Sequence, residues 1–340
     1  MIWLTWRQLR THILAAVVVL GAAAIYLIVT GVRMHHTYTT DLSYCPRRDR
    51  CQYFDHLSHS YNTTQVLIQL FLLAVPALIG IFWGTPLIAA EFERGTHRMI
   101  WNQSITPLRW LTVKLLTVGL FAVAIVGLLS LLFTWWASPL DAINPGRFDW
   151  NIFTTRNLTP LGYAAFAFAL GAALGLLTRR ALPAMALTLA VFIGMQFVVA
   201  TQIRPHLLPT KTASVAVDSA LRDGPIPTSI TTSPGGASVT LEMQGPKGSW
   251  KLSQSPLEDG SGATISSHDL ATCFQPQDLV PPPSQDSLAS CLAPFHPHIN
   301  VTYEPASSYW PLQWLETGLY VALAGLLGGF CFWRLRRNRD

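Results

Sequence analysis

The sequence predicts an all-α polytopic membrane protein with six transmembrane helices, N-in/C-in, and a small β-rich extracytoplasmic domain between spans five and six. Only 12% of the 340 residues are charged, whereas a soluble domain averages about 25%. Half of the residues are hydrophobic, and the mean hydropathy is +0.34. The apolar residues come in long blocks, which is typical of helices in a bilayer. This composition excludes a disordered chain, a coiled coil and an ordinary nucleic-acid-binding protein.

Six apolar runs approach or exceed the length of about 20 residues with which a helix crosses the hydrocarbon core. They occupy residues 12–32, 66–88, 111–136, 160–177, 181–203 and 314–333. Pro76 and Pro86 interrupt the second run, and only Thr178, Arg179 and Arg180 separate the fourth from the fifth. The first run is about twice as long as a signal-peptide core, so we expect it to be retained.

The distribution of basic residues sets the predicted orientation. With the N-terminus inside, lysine and arginine are about four times as dense in the inner segments as in the outer ones, which is the bias of cytoplasmic loops. We therefore expect four regions. These are an interfacial N-terminal helix over 1–11, spans one to five within 12–203, an extracytoplasmic domain over 204–313, and span six with a basic cytoplasmic tail over 314–340.

The cysteine positions agree with this topology. Cys45 and Cys51 share one predicted outer segment, and Cys273 and Cys291 share another. Disulfides form on the oxidising side of a membrane, so both pairs are candidate disulfides, with free thiols as the alternative. Zinc binding is a lesser alternative for the first pair, which has histidines nearby. Their spacing fits no standard site, and we predict no metal.

The long outer segment 204–313 is predicted to form a small, irregular β-rich domain. It carries most of the prolines, which disfavour long helices. The alternating run 237–243 predicts a strand, and Trp250 and Leu252 are expected to continue a hairpin after a turn at 245–248. A disordered loop is the alternative, because the segment is poor in the apolar residues that a large core requires.

No motif for catalysis or nucleotide binding is present in the sequence. The phosphate loop G-x-x-x-x-G-K-[ST], the zinc pair H-E-x-x-H and the nucleophile elbow G-x-S-x-G are all absent. We therefore expect a non-catalytic chain. Glu316, at the outer end of span six, is the candidate ionisable residue for a translocation path. The alternative is that Glu316 lies in the first helical turn, where the helix dipole favours it, and faces water.

The inner connection between spans two and three is the richest polar segment. Residues 89–104 combine charges of both signs with Phe92, Met99, Ile100 and Trp101. A short amphipathic helix that docks on another protein uses such aromatic anchors within a charged rim. A helix that lies flat on lipid is the alternative.

At this segment the chain resembles type-2 ABC exporter permeases, the transmembrane subunits of ABC transporters. The resemblance rests on the pattern Glu91-x-Glu93-x-Gly95-Thr96, on the stretch from Ser104 to Trp110, and on Lys114. The opening 6–8 and the closing 310–318 are similar to the actinobacterial branch of that family. The resemblance covers all six spans, but the segment between spans five and six is longer than in the simpler members.

The resemblance implies a half-transporter of the bacterial cytoplasmic membrane that exports a drug, lipid or peptide. It implies two copies of a separate ABC ATPase subunit, which would bind ATP and Mg²⁺, and a second permease subunit, expected to be identical. No cofactor would be bound by this chain. The loop 89–110 would carry the coupling helix that meets the ATPase, which maps onto Glu91, Phe92, Glu93, Gly95, Thr96, Arg98 and Trp101.

A function of another class is also open at this point. The chain would then be a sensor or immunity subunit whose outer domain binds an extracellular peptide or a cell-wall ligand. The size of the segment 204–313 motivates this alternative.

Overall fold

The computed structural model describes residues 2–44, 52–93, 106–143, 146–217, 228–233, 236–243, 245–265, 289–290 and 292–337. The chain divides into two compact units. The helical unit comprises Met1–Leu207 and Trp310–Asp340, and the sheet unit comprises Leu208–Tyr309.

α-Helices account for most of the described chain. They are α1 (Ile2–Tyr44), α2 (Gln52–Ile79), α3 (Thr85–Glu93), α4 (Pro107–Ile143), α5 (Trp150–Thr155), α6 (Thr159–Thr178), α7 (Ala181–Val198) and α8 (Tyr309–Arg337). A π-helical turn, Gly80–Gly84, joins α2 to α3, and a second one, Val199–Ile203, joins α7 to the 3-10 turn Arg204–His206.

Within the described residues, six stretches are long and apolar enough to cross a membrane, which confirms the predicted number of spans. They are Val17–Thr40, His56–Glu93, Leu108–Ile143, Thr159–Thr178, Ala181–His206 and Ala306–Arg337. Several extend beyond the apolar runs in the sequence because the helices continue into polar residues. α1 also passes without a break through residue 11, where the sequence suggested a division between a surface helix and span one.

The turn between spans four and five lies where the sequence predicts it. α6 ends at Thr178, and α7 begins at Ala181. Arg179 has a left-handed backbone with φ of 54°, and its N–H donates to the oxygen of Gly175 at 3.1 Å. This conformation at a helix C-terminus satisfies a carbonyl that would otherwise lack a partner.

α6 is the central helix of the helical unit. Two thirds (67%) of its apolar window is buried inside the protein, against 17% for the windows of α1 and α8. Hydrophobic clusters join it to α2, α3 and α4 on one side and to α7 on the other. A helix that is apolar all round, as α6 is, suits a position enclosed by neighbours.

α6 makes a close backbone contact with the π-helical turn that precedes α3. A Cβ atom added to Gly171 would come within 2.2 Å of the oxygen of Gly80, and one on Gly84 would come within 2.5 Å of the oxygen of Phe168. A Cβ atom on Gly175 would come within 2.7 Å of the oxygen of Thr85. Two G-x-x-x-G patterns therefore face each other, and such patterns let membrane helices approach closely.

The sheet unit contains two separate antiparallel sheets. The first has the strand order β1 (Lys211–Ala216), β5 (His298–Glu304), β4 (Trp250–Gln254). The second pairs β2 (Thr228–Ser233) with β3 (Gly236–Leu241). The side chain of Gln254 joins β4 to the end of β3, since its Nε2 donates to the oxygen of Leu241 at 2.8 Å.

The structure corrects the hairpin that the sequence predicts in this unit, and it does not test the candidate disulfides. The strand predicted at 237–243 is confirmed over residues 237–241, but it does not form a hairpin with Trp250 and Leu252. β4 pairs with β5, with Trp250 opposite Glu304, because a strand remote in sequence supplies its partner. The candidate disulfide residues Cys45, Cys51, Cys273 and Cys291 lie outside the described residues.

We expect the substitution Gly171→Ala to destabilise the helical unit by about 1–3 kcal/mol, the usual cost of overpacking a tight contact. The matched control is Gly194→Ala on α7, where an added Cβ meets nothing within 4 Å and should be neutral or stabilising by up to about 1 kcal/mol. Thermal unfolding of the purified protein in detergent measures both. Equal midpoints for the two variants would contradict the close contact.

Candidate functional site

The acidic end of α3 is held by an ion pair between two buried side chains. Glu91 is 5% exposed and Lys114 is 4% exposed, and the ammonium of Lys114 donates a hydrogen bond to the Glu91 carboxylate. Nζ of Lys114 also lies 4.8 Å from the centre of the Trp110 ring, one turn earlier on α4. A buried charge requires a partner of opposite sign, so this pair fixes α3 against α4.

Phe92 and Glu93 connect the same end of α3 to the turn between α6 and α7. The guanidinium of Arg179 lies 5.6 Å from the centre of the Phe92 ring. Oε1 of Glu93 accepts a hydrogen bond of 2.8 Å from the N–H of Ala181, the first residue of α7. A helix leaves its first N–H groups without internal partners, so Glu93 caps α7. We call Glu91, Phe92, Glu93, Lys114 and Arg179 the α3 clamp.

The α3 clamp contains only part of the predicted coupling segment. Glu91, Phe92 and Glu93 are brought together at one end of α3, whereas Gly95, Thr96, Arg98 and Trp101 lie outside the described residues. The sequence included Lys114 in the family pattern but gave no signal that its partner is Glu91, and it did not single out Arg179. Glu91 and Lys114 are 23 residues apart and lie on two different helices, so no helical periodicity relates them.

A second group of buried charges lies where α6 begins, α7 ends and α8 begins. Nε of Arg204 lies 2.7 Å from Oε2 of Glu316, and Nη2 lies 2.8 Å from Oε1. The hydroxyl of Tyr163 donates to the same carboxylate. Glu316 is fully buried, and Arg204 and Tyr163 are 2% and 1% exposed. We call Glu316, Arg204 and Tyr163 the Glu316 cluster.

The alternative that Glu316 faces water is wrong. Glu316 lies more than one turn into α8, which begins at Tyr309, and its carboxylate accepts hydrogen bonds from Arg204 and Tyr163. A bidentate pair of this kind is among the stronger charge-assisted contacts. Sequence reasoning missed Arg204 because it was placed at the start of an outer loop, and the π-helical turn Val199–Ile203 that carries it toward Glu316 has no sequence signature.

One face of α8 carries the contacts that join it to the rest of the helical unit. Gln313, Glu316 and Tyr320 recur at intervals of three and four residues, so they share that face. Oε1 of Gln313 accepts hydrogen bonds from the N–H groups of Leu158 and Thr159, each 3.1 Å long, at the start of α6. The hydroxyl of Tyr320 lies 3.3 Å from Oε1 of Gln196 on α7.

A third ion pair, between Arg156 and Asp141, ties the end of α4 to the connection between α5 and α6. Arg156 is 2% exposed, and its guanidinium lies 5.2 Å from the centre of the Phe133 ring. No group of three or more histidine, cysteine, aspartate or glutamate side chains that could hold a metal ion occurs in the part of the chain that the structure describes.

We expect Arg204→Met to destabilise the protein by about 3–5 kcal/mol, because it leaves the Glu316 carboxylate buried without a counter-ion. The double variant Arg204→Met/Glu316→Gln removes both charges and should recover most of that loss. Thermal unfolding in detergent measures both, with the exposed Arg336→Met as the control. A double variant no more stable than the single one would contradict a buried ion pair.

Comparison with known proteins identifies the family. Residues 16–204 match the family model described as "ABC-2 membrane transporter related", which is more than half of the chain. The matched region contains all of the α3 clamp, together with Tyr163 and Arg204 of the Glu316 cluster. No curated protein and no solved structure matches the chain significantly. The chain is a multi-pass membrane protein, and it belongs to the ABC-2 membrane transporter related family.

Proposed function

We propose that the chain is the membrane-spanning permease subunit of an ABC exporter and moves a drug, lipid or peptide outward. The observation that carries the proposal is the family match over residues 16–204. The six apolar helices fit the same assignment. The family consists of membrane transport components, so a separate ATPase subunit supplies the energy. ATP and Mg²⁺ belong to that subunit, and this chain binds no cofactor.

The proposed complex lies in the cytoplasmic membrane of a bacterium and contains two permease chains and two ATPase subunits. The permease chain belongs to the actinobacterial branch of its family in this proposal. We place both termini inside and the sheet unit outside. Three arginines in the last turn of α8, Arg334, Arg336 and Arg337, support this orientation, because basic residues concentrate at cytoplasmic helix ends.

The α3 clamp supplies a physical route for coupling in this proposal. The segment that follows α3 contacts the ATPase through Gly95, Thr96, Arg98 and Trp101. A displacement of that segment acts on α3, and the clamp passes it to α4 through Glu91 and to the α6–α7 turn through Phe92 and Glu93. Glu91 is a positioning residue, because its carboxylate is buried against Lys114. A conformational change requires contacts that differ between two states, and the ATPase surface supplies them.

Charge reversal at the clamp tests this route. We expect Glu91→Lys to abolish substrate-stimulated ATPase activity, because it places two cations together in a buried site. The swapped double variant Glu91→Lys/Lys114→Glu should restore part of the activity, since the ion pair is rebuilt in the opposite sense. The measurement is ATPase activity of the purified complex, compared with that of the unmodified complex.

The control for charge reversal is Glu242→Lys in the sheet unit. Glu242 forms an exposed pair with Lys251 at 3.4 Å, and exposed pairs contribute little to stability. This variant should therefore behave like the unmodified complex. If the swapped double variant stayed inactive while remaining folded and bound to the ATPase, Glu91 would not act through Lys114.

The sensor or immunity function remains the second candidate, because Leu208–Tyr309 forms a compact unit of its own. The first and last strands of this unit pair with each other, so most of the unit can be removed between neighbouring points of the chain. Lys211 at the start of β1 lies opposite Tyr303 near the end of β5, and paired residues are about 5 Å apart. A short glycine linker can therefore replace residues 212–302.

We expect the variant that lacks residues 212–302 to keep ATP-dependent export if the chain is a permease, because the helical unit retains its internal contacts. Export from cells that co-express the ATPase measures the outcome. Normal export with loss of a response to an extracellular ligand would favour the sensor function. Complete loss of export by a folded protein that still binds the ATPase would show that the sheet unit takes part in transport.

A further inference from the structure

An apolar groove of about 210 Å³ opens between α1 and α2 on the surface of the helical unit. Buried side chains form its bottom, and these are Leu27, Leu72 and Leu129. Exposed side chains form its rim, and these include Val19, Tyr26 and Leu67. The groove shares no residue with the α3 clamp or the Glu316 cluster, so it is a separate feature.

The groove faces the surroundings of the protein because α1 packs loosely against the other helices. Only 17% of the apolar window of α1 is buried, and Val19, Tyr26 and Leu67 are 55%, 50% and 62% exposed. α1 and α2 both contribute to candidate membrane spans, and the medium around such spans is hydrocarbon. An open apolar groove in that position takes a hydrocarbon chain.

The rim of the groove on α1 continues to a cation. Val19, Tyr26 and Arg33 are seven residues apart, which is nearly two helical turns, so they share one face of α1. Arg33 is exposed, and it forms no ion pair with a described side chain. Its Cα lies about 10 Å along the axis from that of Tyr26. The Cα–Cβ bonds of a helix tilt toward its N-terminus, so the side chain of Arg33 starts in the direction of the groove.

Hydroxyl groups follow the groove at the same end on α2. Consecutive spans cross a membrane in opposite directions, so this end corresponds to residues that precede the groove in α2. Ser60 is seven residues before Leu67, and Thr64 is seven residues before Phe71, which also lines the groove. These spacings place both hydroxyl side chains on the groove side of α2.

The change from apolar to polar residues occurs at the same level on both helices. The apolar run 12–32 ends directly before Arg33, and the run 66–88 begins two residues after Thr64. Polar headgroups meet a span where its apolar residues end, and an arginine at such a position extends its charge into the headgroup layer. The groove therefore has a hydrocarbon part and, next to it, a part suited to a phosphate.

We propose that this groove binds one anionic phospholipid. One acyl chain lies between α1 and α2, the guanidinium of Arg33 donates hydrogen bonds to the phosphate, and the hydroxyls of Ser60 and Thr64 donate to other headgroup oxygens. Contacts between arginine and phosphate are charge-assisted and often bidentate. An acyl chain gains little by leaving hydrocarbon for an apolar groove, so the headgroup contact selects the lipid.

This lipid site goes beyond the proposed function, because it depends neither on an ATPase subunit nor on the direction of transport. In the proposed orientation, Arg33 lies at the outer end of its span, so the lipid belongs to the outer leaflet. Tyr44, the last residue of α1, lies about 16 Å farther along the helix axis, so Arg33 is well inside the described part of the helix.

Lipid titration of the full-length protein tests the headgroup contact. The protein is purified in detergent, and native mass spectrometry counts bound dioleoyl phosphatidylglycerol or dioleoyl phosphatidylcholine, which have the same chains. We expect one phosphatidylglycerol to bind at least about tenfold more tightly, because a charged hydrogen bond distinguishes the two lipids. Arg33→Gln should remove that preference and Arg33→Lys should keep most of it. The matched control is the exposed Arg147→Gln, which lies outside the groove and should leave the preference unchanged.

Filling the groove tests the acyl-chain contact. Ala23 lines the groove, so Ala23→Phe should weaken the binding of both lipids several-fold. Ala22→Phe is the matched control, since Ala22 is exposed and does not line the groove. Thermal unfolding verifies that each variant is folded.

Three results overturn the lipid site. The first is equal affinity of the unmodified protein for the two lipids. The second is unchanged lipid binding by folded Arg33→Gln or Ala23→Phe. The third is a protein dimer that retains no lipid in the groove and that Ala23→Phe dissociates, which would assign the groove to a second copy of the chain.

Discussion

The contact between two glycine-bearing stretches of backbone determines how the helical unit is built. Gly80 and Gly84 meet Gly171 and Gly175 at separations that leave no room for a Cβ. The hydroxyl of Thr85 lies beside this contact, 3.2 Å from the oxygen of Gly80 and 3.3 Å from the hydroxyl of Thr188. Because membrane helices gain little from burying apolar surface against each other, close packing of this kind carries their association. It holds α6 at the centre of the unit, against the π-helical turn and the start of α3.

Buried ion pairs then fix the two ends of the helical unit. The α3 clamp joins α3, α4 and the α6–α7 turn, while the Glu316 cluster joins α6, α7 and α8 at the other end. Breaking such a pair is costly because it leaves one charge uncompensated. The pairs therefore select one arrangement of helices whose apolar surfaces would otherwise permit several. α8, which has little buried surface of its own, depends most on these contacts.

Local sequence patterns predicted the features that depend on neighbouring residues. The six spans, the turn after Thr178 and the strand at 236–241 follow from apolar length, arginine position and alternation. The family assignment followed from the pattern around Glu91 to Lys114. Features that pair distant residues were missed, because composition and periodicity contain no information on them. Arg204 finds Glu316 across 112 residues of chain, and β4 pairs with β5 instead of forming a hairpin.

The two π-helical turns have a consequence for the angular phase of the helices. In the first, the N–H of Thr85 bonds to the oxygen of Gly80, and in the second the N–H of Arg204 bonds to the oxygen of Val199. Each bond spans five residues instead of four. Since successive residues of an α-helix are rotated by about 100°, loss of one residue from either turn would swing the following side chains to another azimuth. Glu91 would turn away from Lys114, and Arg204 would turn away from Glu316, so chain length at these two turns matters as much as residue type.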